Sequence, residues 1–156
     1  MILAIYREKV GFHMIDKTKD LWHGDCSSDI IEYLNEYTEN EVGKTVIAKC
    51  HSCDLQEFSI KIDDVEGAVE VTCIGCGEKR LLLDGEDVWE DCEPAKVTCP
   101  VCKKVSHNVG IGFVYRDSGE VRWVYIGHRC INCGVLGSSC DWKISYGPTD
   151  EMEKNV

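Results

Sequence analysis

Cys50-His51-Ser52-Cys53, Cys73-Ile74-Gly75-Cys76, Cys99-Pro100-Val101-Cys102 and Cys130-Ile131-Asn132-Cys133 repeat one short pattern four times in a chain of 156 residues. A two-residue gap lets both sulfurs of a tight turn point at one centre, and two such turns complete a tetrahedron of thiolates. The intervals between successive pairs are 19, 22 and 27 residues, enough for a β-hairpin between one turn and the next. Eight thiols in this arrangement can hold two metal ions. Gly77 and Gly134 directly follow the second cysteine of their pairs, where positive φ is often needed, and Pro100 fixes φ inside the third turn.

Disulfides are the competing use of these cysteines. The chain has eleven of them, an odd number, and its apolar opening at residues 1–6 lacks a basic leader and a cleavage site. Both features point to a reduced compartment, and the expectation is a cytoplasmic protein. A thioredoxin-like redox role needs one exposed pair at a helix start within a βαβ unit, and no pair has that context. No apolar run approaches the ~18 residues of a membrane span. A module of roughly 40–50 residues cannot bury enough apolar surface to offset its ordering entropy, so metal supplies part of the folding energy.

Outward from the cysteines, the pattern reads mostly as strand. Residues 1–6 form a short apolar strand. Asp29 as N-cap, with Glu32 three residues on, opens a helix whose apolar face is Ile30, Ile31, Leu34 and Tyr37, ending before Gly43. Its solvent face, with Asp29, Glu32, Glu36, Glu39 and Glu41, is acidic. Val46-Ile47-Ala48 leads into the first turn. Phe58, Ile60 and Ile62 alternate with polar residues, Asp63-Asp64-Val65-Glu66-Gly67 turns, and Val69 and Val71 return to Cys73. Leu81-Leu82-Leu83 follows as a third strand. Val97-Thr98 enters Cys99. Val109, Ile111, Phe113 and Tyr115 alternate with His or small partners, and residues 116–119 make the tip. Val121, Trp123 and Tyr125 return toward Cys130, and Cys140, Trp142, Ile144 and Tyr146 close the unit. Residues 84–94 carry six acidic residues and no basic one, the mark of a solvated linker. Trp89 within it either packs back on the fold or stands out as a partner's anchor.

Residues 46–84 and 96–147 thus resemble two zinc ribbons, each a turn, a hairpin, a second turn and a closing strand. The resemblance implies a small β-rich α+β protein of two tandem antiparallel modules: an N-terminal strand and acidic helix over 1–45, ribbon one over 46–84, an acidic linker over 85–95, ribbon two over 96–147 and a flexible tail over 148–156. It implies two zinc ions as cofactors, the first on Cys50, Cys53, Cys73 and Cys76 and the second on Cys99, Cys102, Cys130 and Cys133. Sequential grouping keeps each loop local. The competing arrangement is nested, as in the zinc domain of DnaJ-type chaperones, whose C-x-x-C-x-G-x-G repeats are not reproduced here. Iron in a rubredoxin-like site uses the same ligands, but such sites carry a glycine after each turn, where Asp54 and Lys103 stand here. Cys26, Cys92 and Cys140 lie outside the pairs and receive no role.

Four thiolates per ion leave no open coordination position, and the chain has no nucleophile elbow, phosphate loop or HExxH motif. The expectation is a non-enzymatic protein. Its formal net charge is −11, and each four-thiolate zinc site adds two further negative charges, reaching −15. Phosphate backbones repel such a chain. The leading reading is therefore binding of a basic protein partner through an acidic surface, in the manner of an antitoxin or immunity protein. The alternative is a transcription or translation factor working through residues 96–147, where seven basic residues face three acidic ones and Tyr115, Trp123 and Tyr125 offer a stacking platform.

Overall fold

In a computed structural model, residues 15–156 are described; the strand expected at residues 1–6 lies outside them. Among the described residues one α-helix, α1 (Asp29–Tyr37), and three short 3-10 turns accompany eight strands: β1 (Lys44–Ile47), β2 (Phe58–Asp63), β3 (Ala68–Cys73), β4 (Lys79–Leu81), β5 (Ala95–Lys96), β6 (His107–Tyr115), β7 (Val121–Cys130) and β8 (Leu136–Lys143). All pairings are antiparallel and form one sheet in the order β4-β3-β2-β6-β7-β8, with β1 on β6 and β5 on β2.

This connectivity departs from two modules in tandem. The hairpins β2–β3 and β6–β7 form as expected, but the lead-in strands change places. β1, which precedes the first cysteine turn, pairs with β6 of the second half, from Lys44↔Phe113 to Ile47↔Gly110. β5, which precedes the third, pairs with β2 of the first half. β2 meets β6 only at Phe58↔His107, so the sheet opens beyond that point and the two hairpins turn the same face toward each other. Phe58, Ile60, Val69 and Val71 from the first half and Val109, Ile111, Phe113, Val124 and Ile126 from the second share one core. These β-branched and aromatic side chains suit a pleated surface, and their burial is the main force holding the halves together.

The opposite face of β6 and β7 carries Gly110, Gly112 and Gly127, with Gly110 paired to Gly127. α1 lies on this shelf. A Cβ on Gly110 would come 2.8 Å from Ile30 Cγ2, one on Gly127 2.9 Å from the same atom, and one on Gly112 3.0 Å from Val42 Cγ2. The glycines set how closely the helix approaches. β6 is consequently buried on both faces. The helix buries Ile30, Tyr33 and Leu34, while Ile31 and Tyr37 of the expected apolar face are exposed.

The helix ends also differ from expectation. Ser28 occupies the N-cap and makes no side-chain cap. Asp29 is buried, and its Oδ2 instead accepts the amides of Asp25 and Cys26. Glu32 takes the amide of Ile15. The chain leaves the helix through Glu39 and Asn40, both at positive φ, with the Asn40 amide donating to the Asn35 carbonyl at 2.7 Å. That left-handed exit does the work assigned to Gly43.

Residues 148–156, expected as a flexible tail, are docked. Met152 and Val156 enter the common core at 5% and 7% exposure. The Leu83 amide donates to the Asn155 carbonyl, and the Asn155 side chain returns a bond to the Leu83 carbonyl. Glu153 receives Lys44 and the Tyr115 hydroxyl, each at 2.6 Å. The polar composition of this segment hides two apolar side chains, Met152 and Val156, which flank the short 3-10 turn Glu153–Asn155.

Candidate metal centres

Each centre is built from two copies of the same turn. The amide of the first cysteine donates to the carbonyl five residues on: Cys50 to Leu55, Cys73 to Glu78, Cys99 to Lys104 and Cys130 to Val135, at 2.8–2.9 Å. The residue after the second cysteine donates back to the first cysteine's carbonyl, through Asp54, Gly77, Lys103 and Gly134, at 2.9–3.0 Å. All four of these residues have positive φ, from 66° to 83°. Asp54 and Lys103 therefore adopt the conformation glycine supplies elsewhere, and the four turns are equivalent. Their sequence difference does not mark a different kind of site.

The turns meet in sequential pairs. Cys50, Cys53, Cys73 and Cys76 form one group; Cys99, Cys102, Cys130 and Cys133 form the other; within each, all four sulfurs lie within 4.8 Å of one another. Nested grouping is not what the fold produces. The closest sulfurs are 3.5 Å apart in the pairs Cys50–Cys76, Cys53–Cys73, Cys99–Cys133 and Cys102–Cys130. A tetrahedral ion with metal–sulfur bonds of about 2.3 Å places its ligands about 3.8 Å apart. A disulfide requires about 2.05 Å. The donor set and spacing therefore fit a tetrahedral four-thiolate metal ion and not a cystine.

The thiols in each group are electrostatically unlike. In the first, the amide of Cys76 draws the Cys73 thiol down to about 7, while burial pushes Cys50 up to about 12. In the second, the amide of Lys104 draws Cys102 down to about 6, and burial pushes Cys133 up to about 12. A bound cation would favour the thiolate form of all four in each group. Glu78 flanks the first centre, with Oε1 3.4 Å from Cys50 Sγ and Oε2 accepting the Ser52 hydroxyl at 2.8 Å.

The centres differ in cover. Cys53 and Cys76 of the first are exposed, whereas Cys102 and Cys133 of the second are half-buried. Residues 22–24, backed by the Asp16–His23 pairing, run along the fourth turn: His23 bridges to Val135, the Leu136 amide donates to the Trp22 carbonyl, and the Gly24 amide donates to the Gly134 carbonyl at 2.9 Å. Arg129 Nε donates to the Gly24 carbonyl at 2.7 Å. Nothing in the sequence of residues 22–24 announces this contact, because it is a backbone pairing with a distant turn.

The other singled-out residues do not assemble into a site. Cys26, Cys92 and Cys140 join neither group. Tyr115 packs on the common core while Tyr125 packs on the helix side, and the Trp123 indole is bonded to Asp141, so the three rings form no single platform. Trp89 is half-buried beside a cavity of about 610 Å³ that it lines with His51, Arg80 and Leu81. Asp63 at the β2–β3 tip accepts the amides of Val65, Glu66 and Glu93. It organises a turn and pins the linker. Comparison with protein-family models, with curated proteins and with solved structures finds no match.

Proposed function

We propose that this is a non-catalytic zinc protein. Two structural four-thiolate sites stiffen a sheet whose acidic outer surface receives a basic protein in a reducing compartment such as the cytoplasm. The observation that carries the metal half is the convergence of eight cysteines into two tetrahedral sets. Zinc suits it best, since zinc has no geometric demand beyond the tetrahedron and favours thiolate ligands. Four protein ligands leave no position for substrate, which supports a structural role over a catalytic one.

Support for the partner half is electrostatic. The acidic residues of α1 and its exit are largely engaged within the fold: Glu32 with the Ile15 amide, Glu36 with Lys17, and Glu41 with Arg122 and Tyr125. The linker acids are different. Glu86, Asp87, Glu90 and Asp91 are exposed and enter no ion pair among the described residues. Asp91 lies beside Asp64 and Glu66, and this acidic linker is where a basic partner would be steered. Conversely, several cations of the second half are used internally: Arg116 on the Val121 and Ile144 carbonyls, Arg129 on Gly24 and Asn108. That leaves few cations for phosphate and favours the protein partner over nucleic acid.

Native mass spectrometry of protein purified under reducing conditions should show two zinc ions per chain; none would sink the metal half. For the partner half, Glu86, Asp87, Glu90 and Asp91 changed to amides should slow association with a protein captured from native extract. The defect should shrink as salt rises. Nucleic-acid affinity at physiological salt, lost when Lys103 and Lys104 become alanine, would instead establish the transcription or translation reading.

A further inference from the structure

We infer that the two thiolate centres divide the labour of holding metal: the Cys50/Cys53/Cys73/Cys76 centre exchanges its ion with the surroundings, and the Cys99/Cys102/Cys130/Cys133 centre keeps its own. The inference rests on the zinc reading above and adds to it a difference between sites built from identical ligands. A competing ligand reaches a four-thiolate ion by displacing a sulfur that solvent can touch, and the displaced thiolate takes a proton from water as it leaves. No oxidant is involved. The relevant quantity is therefore how open each cysteine is, and the two centres differ in it: Cys53 and Cys76 are exposed, Cys102 and Cys133 half-buried.

In the first centre one cysteine of each turn is exposed, Cys53 and Cys76, while Cys50 and Cys73 are buried in the common core. The residues around the exposed pair are open too: His51, Ser52, Ile74, Gly75 and Gly77 are exposed, and a Cβ on Gly77 would meet nothing within 4 Å. An entering ligand can attack from this side without moving the fold. The second centre is open only along its third turn, where Pro100, Val101, Lys103 and Lys104 are exposed while Cys102 itself is half-buried; its fourth turn is covered. Gly134 and Val135 are buried, and a Cβ on Gly134 would lie 2.7 Å from the Gly24 carbonyl oxygen. Cys99 and Cys130 pack with Val135 in a small cluster of their own, with Cys102 and Cys133 against it. Residues 22–24, clamped by Arg129, form the cover.

The fold tolerates loss at one centre without surrendering the other. The second half keeps the long β6–β7 hairpin, the helix on its glycine shelf and the packing around Leu136. Departure of metal from the first centre frees the turns at residues 50–55 and 73–78, which border the cavity lined by His51, Lys79, Arg80 and Trp89. The state of one ion so sets the shape of one surface region, as expected where local opening is confined to a weakly covered unit.

The test uses the full-length, zinc-loaded chain in excess EDTA, with native mass spectra taken over time and N-ethylmaleimide labelling mapped by peptide at each point. The expected result is loss of one zinc equivalent in a fast phase, with Cys50, Cys53, Cys73 and Cys76 labelled in step and Cys99, Cys102, Cys130 and Cys133 still protected. Cys26, Cys92 and Cys140 belong to neither centre and are scored separately. Two zinc ions leaving in one phase, or labelling that begins at Cys102 and Cys133, overturns this inference alone. A chain that carries no zinc at the outset overturns the zinc reading and this one with it. Arg129→Ala removes the clamp on Gly24 and should hasten release from the second centre while leaving the first unchanged; an unchanged second phase refutes residues 22–24 as the protecting cover.

Discussion

Gly77 and Gly134 occupy the same position in two equivalent turns, with φ of 79° and 83°, yet their surroundings are opposite. An alanine at Gly77 meets open space, so its cost is conformational, about 1 kcal/mol for an L-residue in the left-handed region. At Gly134 the added methyl must also displace the Gly24 backbone, so Gly134→Ala should cost about 3 kcal/mol or more. Denaturant unfolding of the zinc-loaded variants checks the contrast, and equal losses would refute it. Asp63 makes a second prediction. The amides of Glu66 and Glu93 hold its carboxyl below the usual carboxylate range. Its contribution to stability is present above its unfolded value near ~3.9 and is lost as pH falls through the lower folded value. Asp63→Asn should flatten the loss of stability below about pH 4, read by thermal melts across that range. At this scale much was legible. Cysteine spacing identifies the ligands because two residues between sulfurs is a local, geometric statement. The left-handed Asp54 and Lys103 were not, since neither residue type announces positive φ.

Hairpins and helix were legible as elements because each runs through several periods of its pattern. β2–β3 and β6–β7 alternate long enough to be read, and the spacing of Ile30 and Leu34 reports a helix. The shelf beneath that helix was less so. In the sequence Gly110 and Gly112 are only small residues alternating with Val109, Ile111 and Phe113, whereas with Gly127 they mark where the side chains of Ile30, Leu34 and Val42 come close. Gly110→Ala should destabilise by about 1–3 kcal/mol through overpacking against Ile30. Combined with Ile30→Ala it should cost less than the two single losses together, because truncating Ile30 makes room for the added methyl. Strict additivity in a double-mutant cycle would show that the helix does not rest on the shelf.

At the scale of the whole molecule, the division into two modules fails as a description of packing, since one core draws on both halves and on the C-terminal segment. The reason lies in length. β1 has four residues and β5 has two, too few to show which strand they will join, and partner choice across more than sixty positions leaves no local trace. The C-terminal segment was misread because composition averages over Met152 and Val156. Met152→Ala should cost about 2–3 kcal/mol, in the range for a buried methionine, while leaving the metal content of the two cysteine groups unchanged. Calorimetry and native mass spectrometry together check this, and an unchanged melting temperature would return the segment to a loose tail.

The exchange of lead-in strands bears on the order in which the chain can fold as it leaves a ribosome. All four ligands of the first centre have emerged once Cys76 is made, but β1 finds its partner only after Phe113 and α1 finds its full shelf only after Gly127. The nascent first half must therefore wait with one strand and the helix unpartnered, kept in register by its own β2–β3–β4 pairing and by any ion that its four cysteines hold. Such delayed, long-range pairing is slow and leaves apolar surface uncovered in the interval. An ion taken up early by Cys50, Cys53, Cys73 and Cys76 would thus have a kinetic use that the finished structure conceals.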